Sequence, residues 1–133
     1  MNWTDLIPVA AGLYLLFRLW RFFRPALNPV EAKAAITLGQ AVMIDVREPA
    51  EWAGGVLDQA ALLPLSDLQG ERRLWGPFLA SNRDRRLMLY CLSGARSGAA
   101  AARLRREGYH AVNAGTFHGW RRAGWSVAPP ARP

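Results

Sequence analysis

Cys91 is the only cysteine among 133 residues, and the residues around it are those a reactive thiol requires. The apolar run Leu87-Met88-Leu89-Tyr90 reads as a buried strand that leads directly into Cys91-Leu92-Ser93-Gly94-Ala95-Arg96-Ser97. From Ser97 to Glu107 the chain is Ala-rich and closes at Gly108, the signature of a helix. The cysteine therefore stands where a strand turns tightly into a helix. Gly94 permits a left-handed backbone turn, so that successive amide N–H groups point inward as an anion-binding nest. The helix start adds the positive end of its dipole, and Arg96 adds a permanent charge. Each influence favours thiolate over thiol, so Cys91 is expected to be nucleophilic at neutral pH. The same nest would stabilise a negatively charged group carried on its sulfur. A buried cysteine acting as a small hydrophobe is the plain alternative, and it leaves the Ser-Gly-x-Arg-Ser that follows the strand without a reason.

Spacing narrows the chemistry. Cysteine phosphatases place five residues between cysteine and arginine to surround a tetrahedral phosphate. Here Leu92, Ser93, Gly94 and Ala95 alone separate Cys91 from Arg96, and Tyr90 stands where many such phosphatases carry histidine. A tighter ring suits a smaller adduct, such as one additional sulfur. The lone thiol also excludes an internal disulfide framework, a multi-thiolate metal site and two-cysteine redox cycling. No metal and no cofactor is expected.

The rest of the chain must place this loop. With 51% hydrophobic residues the sequence is not a disordered one, and its length fits one domain with a short appendage. Asn28-Pro29-Val30-Glu31 has the form of a helix start, with an N-cap, a proline in the first turn and a reciprocal glutamate; that helix should end at Gly39. Residues 41–45 read as an apolar strand ending in charge, residues 49–52 as one helical turn, residues 62–63 as a brief strand and residues 74–80 as a helix. Residues 111–113 read as a last strand and residues 116–123 as a last helix. Short apolar strands alternating with helices imply an α/β fold with a central parallel sheet flanked by helices. In such sheets ligands bind beyond the carboxyl ends of the strands. Asp45-Val46-Arg47 and Tyr90-Cys91 both end there.

Residues 1–24 have a different character. Leu6 to Phe17 is apolar apart from Pro8, Gly12 and Tyr14, and Arg18, Arg21 and Arg24 follow it. Extended over residues 3–23, the segment matches the ~30 Å of a hydrocarbon core, with Trp3 at one end and Trp20, Phe22 and Phe23 at the other as an aromatic belt. A single membrane span is the expectation, with the arginines and the soluble domain on the cytoplasmic side; an interfacial helix and a soluble helix packed on the domain are the alternatives. A signal peptide fits poorly, because no Lys or Arg precedes the apolar run. The division expected is an anchor over residues 1–24, a domain over 25–127 that opens on a linker from Pro25 to Pro29, and a disordered tail over 128–133.

Three motifs occur in order: Ile44-Asp45-Val46-Arg47-Glu48-Pro49 with Glu51-Trp52, then Cys91 to Ser97, then Gly115 to Trp120 with Ala123-Gly124 and Val127. Together they resemble the rhodanese-like domain family of single-domain sulfurtransferases over about residues 28–127. The resemblance implies a small α/β fold whose cysteine carries persulfide sulfur. It assigns Cys91 as the carrier, the backbone from Leu92 to Ser97 as the cradle, and Arg96 as the residue that closes the loop and meets an anionic donor such as thiosulfate. The family usually carries a Gly-His-Ile-Pro-Gly-Ala type segment where this chain has Gly55-Val56-Leu57-Asp58-Gln59-Ala60, without the histidine or the proline-glycine turn.

With no second thiol in the chain, the acceptor must be external, either cyanide or a small or protein thiol. The expectation is a sulfurtransferase. A non-catalytic binding module is the second reading, and a phosphatase or arsenate reductase the third. Asp45 could fix Arg96 or a loop amide, and Arg47 could add positive potential, against a structural ion pair of Arg47 with Glu51. His118 is expected in an exposed loop rather than at the site, His110 as structural or exposed, and Trp120, Trp125 and Phe117 in the core. The net charge of +7 is spread over scattered arginine clusters, which does not suggest nucleic-acid binding.

Overall fold

In the computed structural model, which describes residues 2–23 and 27–131, the elements run α1 (Trp3–Phe23), α2 (Pro29–Thr37), β1 (Ala41–Asp45), α3 (Pro49–Trp52), β2 (Val56–Leu57) and β3 (Ala61–Leu62). They continue with α4 (Leu65–Gln69), α5 (Trp75–Ser81), β4 (Arg86–Cys91), α6 (Ala95–Arg106), β5 (Ala111–Thr116), α7 (Phe117–Arg122) and β6 (Val127–Ala128). Four strands form a parallel sheet in the order β3-β1-β4-β5, so the central pair β1 and β4 is flanked on both sides. Asp45, Cys91 and Thr116 end their strands at one edge, as the rule for parallel sheets requires.

Side chains on β4 alternate between two cores, the period of any strand. Leu87, Leu89 and Cys91 pack on one face with Trp75, Leu79, Ala100, Ala101 and Leu104 from α5 and α6. Met88 and Tyr90 pack on the other with Met43, Leu57, Phe117, Trp120 and Trp125. Both faces are covered, which is why the strand reads as continuously apolar rather than alternating. The aromatic residues expected in the core are there: Trp120 and Trp125 meet edge to face with ring centroids 5.2 Å apart, a favoured arrangement for aromatic pairs.

Local signals account for most boundaries. The Asn28 side chain accepts the Val30 amide at 2.9 Å, and Pro29 opens α2. Helix α6 starts at Ala95, earlier than Ser97, because Gly94 adopts the left-handed conformation (φ 87°) and caps it. Helix α4 and the antiparallel pair of β2 with β6 carry no sequence signal; two-residue strands are too short to show periodicity. Ala128, which composition assigns to the tail, pairs with Val56. That pairing also fixes Gly55, whose φ is 113° and where a Cβ would lie 2.6 Å from Val127 Cγ1.

The expected membrane span is corrected. Among the described residues no helix is long and apolar enough to cross a membrane. Helix α1 has the length, 21 residues, but its uncharged stretch does not. Asp5, Arg18 and Arg21 lie within the helix, and the apolar run between them is itself interrupted by Pro8, Gly12 and Tyr14. Charges inside a span carry a substantial cost in hydrocarbon. The expected membrane partner is not supported either. The alternative of a helix packed on the domain also fails to match, since the described side chains from Leu6 to Arg18 are exposed. Arg24 and the start of the expected linker lie outside the described residues, as do the last two residues of the tail.

The segment that departs from the resemblance has a measurable consequence. Gln59 holds φ at 66°, a conformation that suits glycine and strains other residues. Gln59→Gly is expected to raise the free energy of unfolding by about 0.5–1 kcal/mol, read as a higher urea midpoint at unchanged m-value. A midpoint equal to or below that of the native protein would show that the Gln59 side chain offsets the strain.

Candidate active site

The last residue of β4 delivers the thiol to the first turn of α6. Cys91 is fully buried, and its Sγ accepts the Gly94 amide at 3.0 Å. The left-handed turn at Gly94 directs that N–H back toward the strand, and the helix that follows contributes the positive end of its dipole. The Ser97 hydroxyl lies 3.4 Å from Sγ. Burial pushes the Cys91 thiol up, but hydrogen bonds from the Ser97 hydroxyl and from the Ser97, Gly94 and Ser93 amides outweigh it, and the thiol is held below its ordinary range. Leu92, Ser93 and Ala95 form the exposed outer wall of the loop. Ser93 Oγ accepts the Ala95 amide at 3.3 Å, which stiffens the turn.

Arg96 does not point freely into solvent. Its two terminal nitrogens donate to the two Glu51 oxygens at 2.6 and 2.9 Å, a bidentate pair of the kind that fixes a guanidinium plane. Hydrogen bonds from Arg96 lead the causes that hold the Glu51 carboxyl down at about 2, and Glu51 in turn raises Arg96. Glu51 therefore clamps α3 to α6. Its Oε1 also accepts the Glu48 amide at 3.1 Å, closing a capping box at the start of α3.

The structure brings Cys91, Leu92, Ser93, Gly94, Ala95, Arg96 and Ser97 into one loop and puts Asp45 and Arg47 on the opposite face of the sheet. Asp45 does not reach Arg96. Its carboxylate accepts the Arg47 guanidinium at 2.9 Å, the Arg47 amide at 2.9 Å and the Tyr90 hydroxyl at 2.7 Å. The expected Arg47–Glu51 ion pair is replaced by Arg47–Asp45 and Arg96–Glu51. Arg47 is buried, donates to the Gly55 carbonyl at 2.8 Å and lies over the Phe117 ring at 4.5 Å. Tyr90 OH also accepts the Leu57 amide at 3.0 Å. Burial, with the Asp45 charge beside it, pushes the Tyr90 phenol well up, so it is a hydrogen-bonding strut rather than an acid. His118 and His110 are exposed. Among the described residues no group of His, Cys, Asp and Glu could hold a metal ion.

Asn113 was not singled out by its sequence. It sits on β5 beside Leu89, on the α6 face of the sheet. The signal that could have found it is a polar residue at an inward position of a short strand, with Ala111 buried two residues earlier.

Comparison with known proteins agrees with this fold. A family model described as a rhodanese-like domain matches residues 28–123. A sulfurtransferase of Allochromatium vinosum is 34% identical over 93 residues, covering 67% of this chain and 79% of its own. A human single-domain sulfurtransferase superposes with a TM-score of 0.60 at 28% identity, covering 74% of this chain and 96% of the other. A rhodanese-related protein of Thermoplasma volcanium superposes with a TM-score of 0.63 at 25% identity, covering 79% of this chain and 98% of the other.

The hydrogen bonds at sulfur predict a titration. The rate of Cys91 alkylation by iodoacetamide should rise to its plateau at a pH below that of an ordinary free thiol, and Ser97→Ala should move the midpoint upward, since the hydroxyl is the foremost of the stabilising partners. A midpoint unmoved by Ser97→Ala would assign the stabilisation to the backbone amides alone.

Proposed function

This chain belongs to the rhodanese-like domain family, and on that premise we propose that it moves sulfane sulfur from a donor such as thiosulfate to an external acceptor through a persulfide on Cys91. Family membership and sulfurtransferase relatives support a sulfurtransferase. The observation that carries the proposal is the convergence of the Gly94 amide and the Ser97 hydroxyl on Cys91 Sγ at the start of α6. Those donors suit a thiolate and the negatively charged sulfur it would bear.

In the first half-reaction the Cys91 thiolate attacks the outer sulfur of thiosulfate. A new S–S bond forms, the donor's S–S bond breaks, and sulfite leaves with the electron pair. In the second, an acceptor thiolate or cyanide attacks the outer sulfur of the persulfide, and the electron pair of the broken bond returns to Cys91. The products are an acceptor persulfide or thiocyanate. This is double displacement through a covalent intermediate. It needs neither metal nor cofactor, and the acceptor must come from outside, because the chain holds no second cysteine. Loop amides from Leu92 to Ser97 would cradle the transferred sulfur. Arg96 already gives its terminal nitrogens to Glu51, so its charge would act on an anionic donor through a fixed orientation.

The complete burial of Cys91 favours one other reading, a binding module whose loop stays closed and turns nothing over. Mass spectrometry of the intact protein after thiosulfate treatment, without reducing agent, separates the two. The expected result is a gain of one sulfur atom that is absent from Cys91→Ser and removed by cyanide. An unmodified mass under these conditions would leave the binding module as the surviving reading.

A further inference from the structure

Ser97 has one hydroxyl proton and two places to put it. Its Oγ lies 2.7 Å from Asn113 Oδ1 and 3.4 Å from Cys91 Sγ. The identity of the Asn113 atom facing Ser97 is fixed by two further bonds. Asn113 Nδ2 donates to the Gly94 carbonyl at 2.9 Å, and the Gly115 amide donates to Oδ1 at 3.0 Å. A flipped carboxamide would set Nδ2 against the Gly115 N–H and Oδ1 against the Gly94 carbonyl, a donor on a donor and an acceptor on an acceptor. The oxygen must therefore face Ser97. The bulge between β4 and β5 puts the carboxamide in place: Leu89 pairs with Asn113 and Tyr90 with Gly115, so Ala114 is passed over and the Gly115 amide turns back onto Asn113.

We propose that Asn113 is a positioning residue for the sulfur carrier, an acceptor that competes with Cys91 for the Ser97 hydroxyl and so sets which form of the sulfur that hydroxyl supports. With a thiol, Cys91 S–H donates to Ser97 Oγ and Ser97 donates on to Asn113 Oδ1. With a thiolate, the hydroxyl turns to Sγ, and Asn113 Oδ1 keeps the Gly115 amide alone. The proposal rests on Cys91 being the reacting residue, as in the proposed sulfur transfer, but it concerns the free sulfur before any donor arrives. The charged groups nearby are Arg96 on α6 with Glu51 on α3, and the Asp45–Arg47 pair with Tyr90 on the opposite face. None of them bonds to Ser97 or Asn113.

The test is the pH profile of Cys91 alkylation by iodoacetamide in the full chain after reduction, which reports the free thiol and does not depend on whether sulfur is transferred. Asn113→Asp keeps an acceptor at Ser97 and makes it a stronger one, but it also sets an oxygen against the Gly94 carbonyl and adds a charge. The midpoint should rise by about one unit, a roughly tenfold loss of thiolate at a pH below it, and the part of that rise removed by Ser97→Ala is the part that counts. Asn113→Leu is close in size and removes the acceptor, so the midpoint should fall. A purely structural residue would give lower melting temperatures with both midpoints unchanged, and that result overturns the proposal. Midpoints moving in the same direction would overturn it as well. In a Ser97→Ala background the Asn113→Asp shift should shrink to less than half, and an undiminished shift would show that Asn113 acts without Ser97. If thiosulfate adds no sulfur to the native protein while these shifts appear, sulfur transfer fails and the positioning role stands.

Discussion

The carboxylate of Asp45 ties the molecule together. It is fully buried against Arg47, and a carboxylate in that position persists only when its lone pairs are occupied. Arg47 and Tyr90 occupy them, and each then reaches further, Arg47 to the Gly55 carbonyl and Tyr90 to the Leu57 amide. One carboxylate thus joins β1, β4 and the segment leading into β2. Breaking such a cluster by removing a single partner costs roughly 3–5 kcal/mol, because the remaining charge is left uncompensated in a poorly polarisable interior. The Arg47 guanidinium also lies over the Phe117 ring, so that α7 is drawn onto the same point. The cysteine loop on the other face takes no bond from this cluster, but the strand that presents it is held there by the residue immediately before the cysteine.

At Cys91 two opposing influences meet, and geometry decides between them. Burial favours the neutral thiol. The amides of the Gly94 turn and the Ser97 hydroxyl favour the anion, and they prevail. Their orientation costs nothing at the moment of reaction, since the turn is already folded, and this is what makes fixed dipoles more effective than water around a reacting charge. Arg96 supplies positive potential, moderated by Glu51.

Much of this was legible in the sequence, and the reasons differ by residue. The strand-turn-helix around Cys91 was readable because a strand of apolar residues, a lone glycine and an Ala-rich helix are each distinct local signals. The parallel sheet followed from unalternating strands. The partners of Asp45, Arg47 and Glu51 were not readable, because charged residues two to six apart on a turn can pair in several ways and only the sheet register selects among them. The partners of Asn113 were not readable for the same reason: its contacts with Gly94 and Ser97 cross between elements distant in sequence. The N-terminal helix was found as a helix, but its suitability for hydrocarbon was overestimated by extending the apolar run past Arg18.

The alternation along β4 has a consequence for how the chain can vary. Tyr90 and Cys91 are neighbours that serve opposite faces, one bound to Asp45 and the other open to the α6 turn. A substitution elsewhere in the strand changes packing and leaves this division intact. A single inserted or deleted residue between Arg86 and Tyr90 does not, because a one-residue slip exchanges the two faces. The thiol would then meet a buried carboxylate, and the phenol would meet the ring of amides. Length within this short strand is therefore constrained more tightly than composition, and tolerated insertions belong in the loop that precedes it, not in the turn from Leu92 to Gly94 that follows.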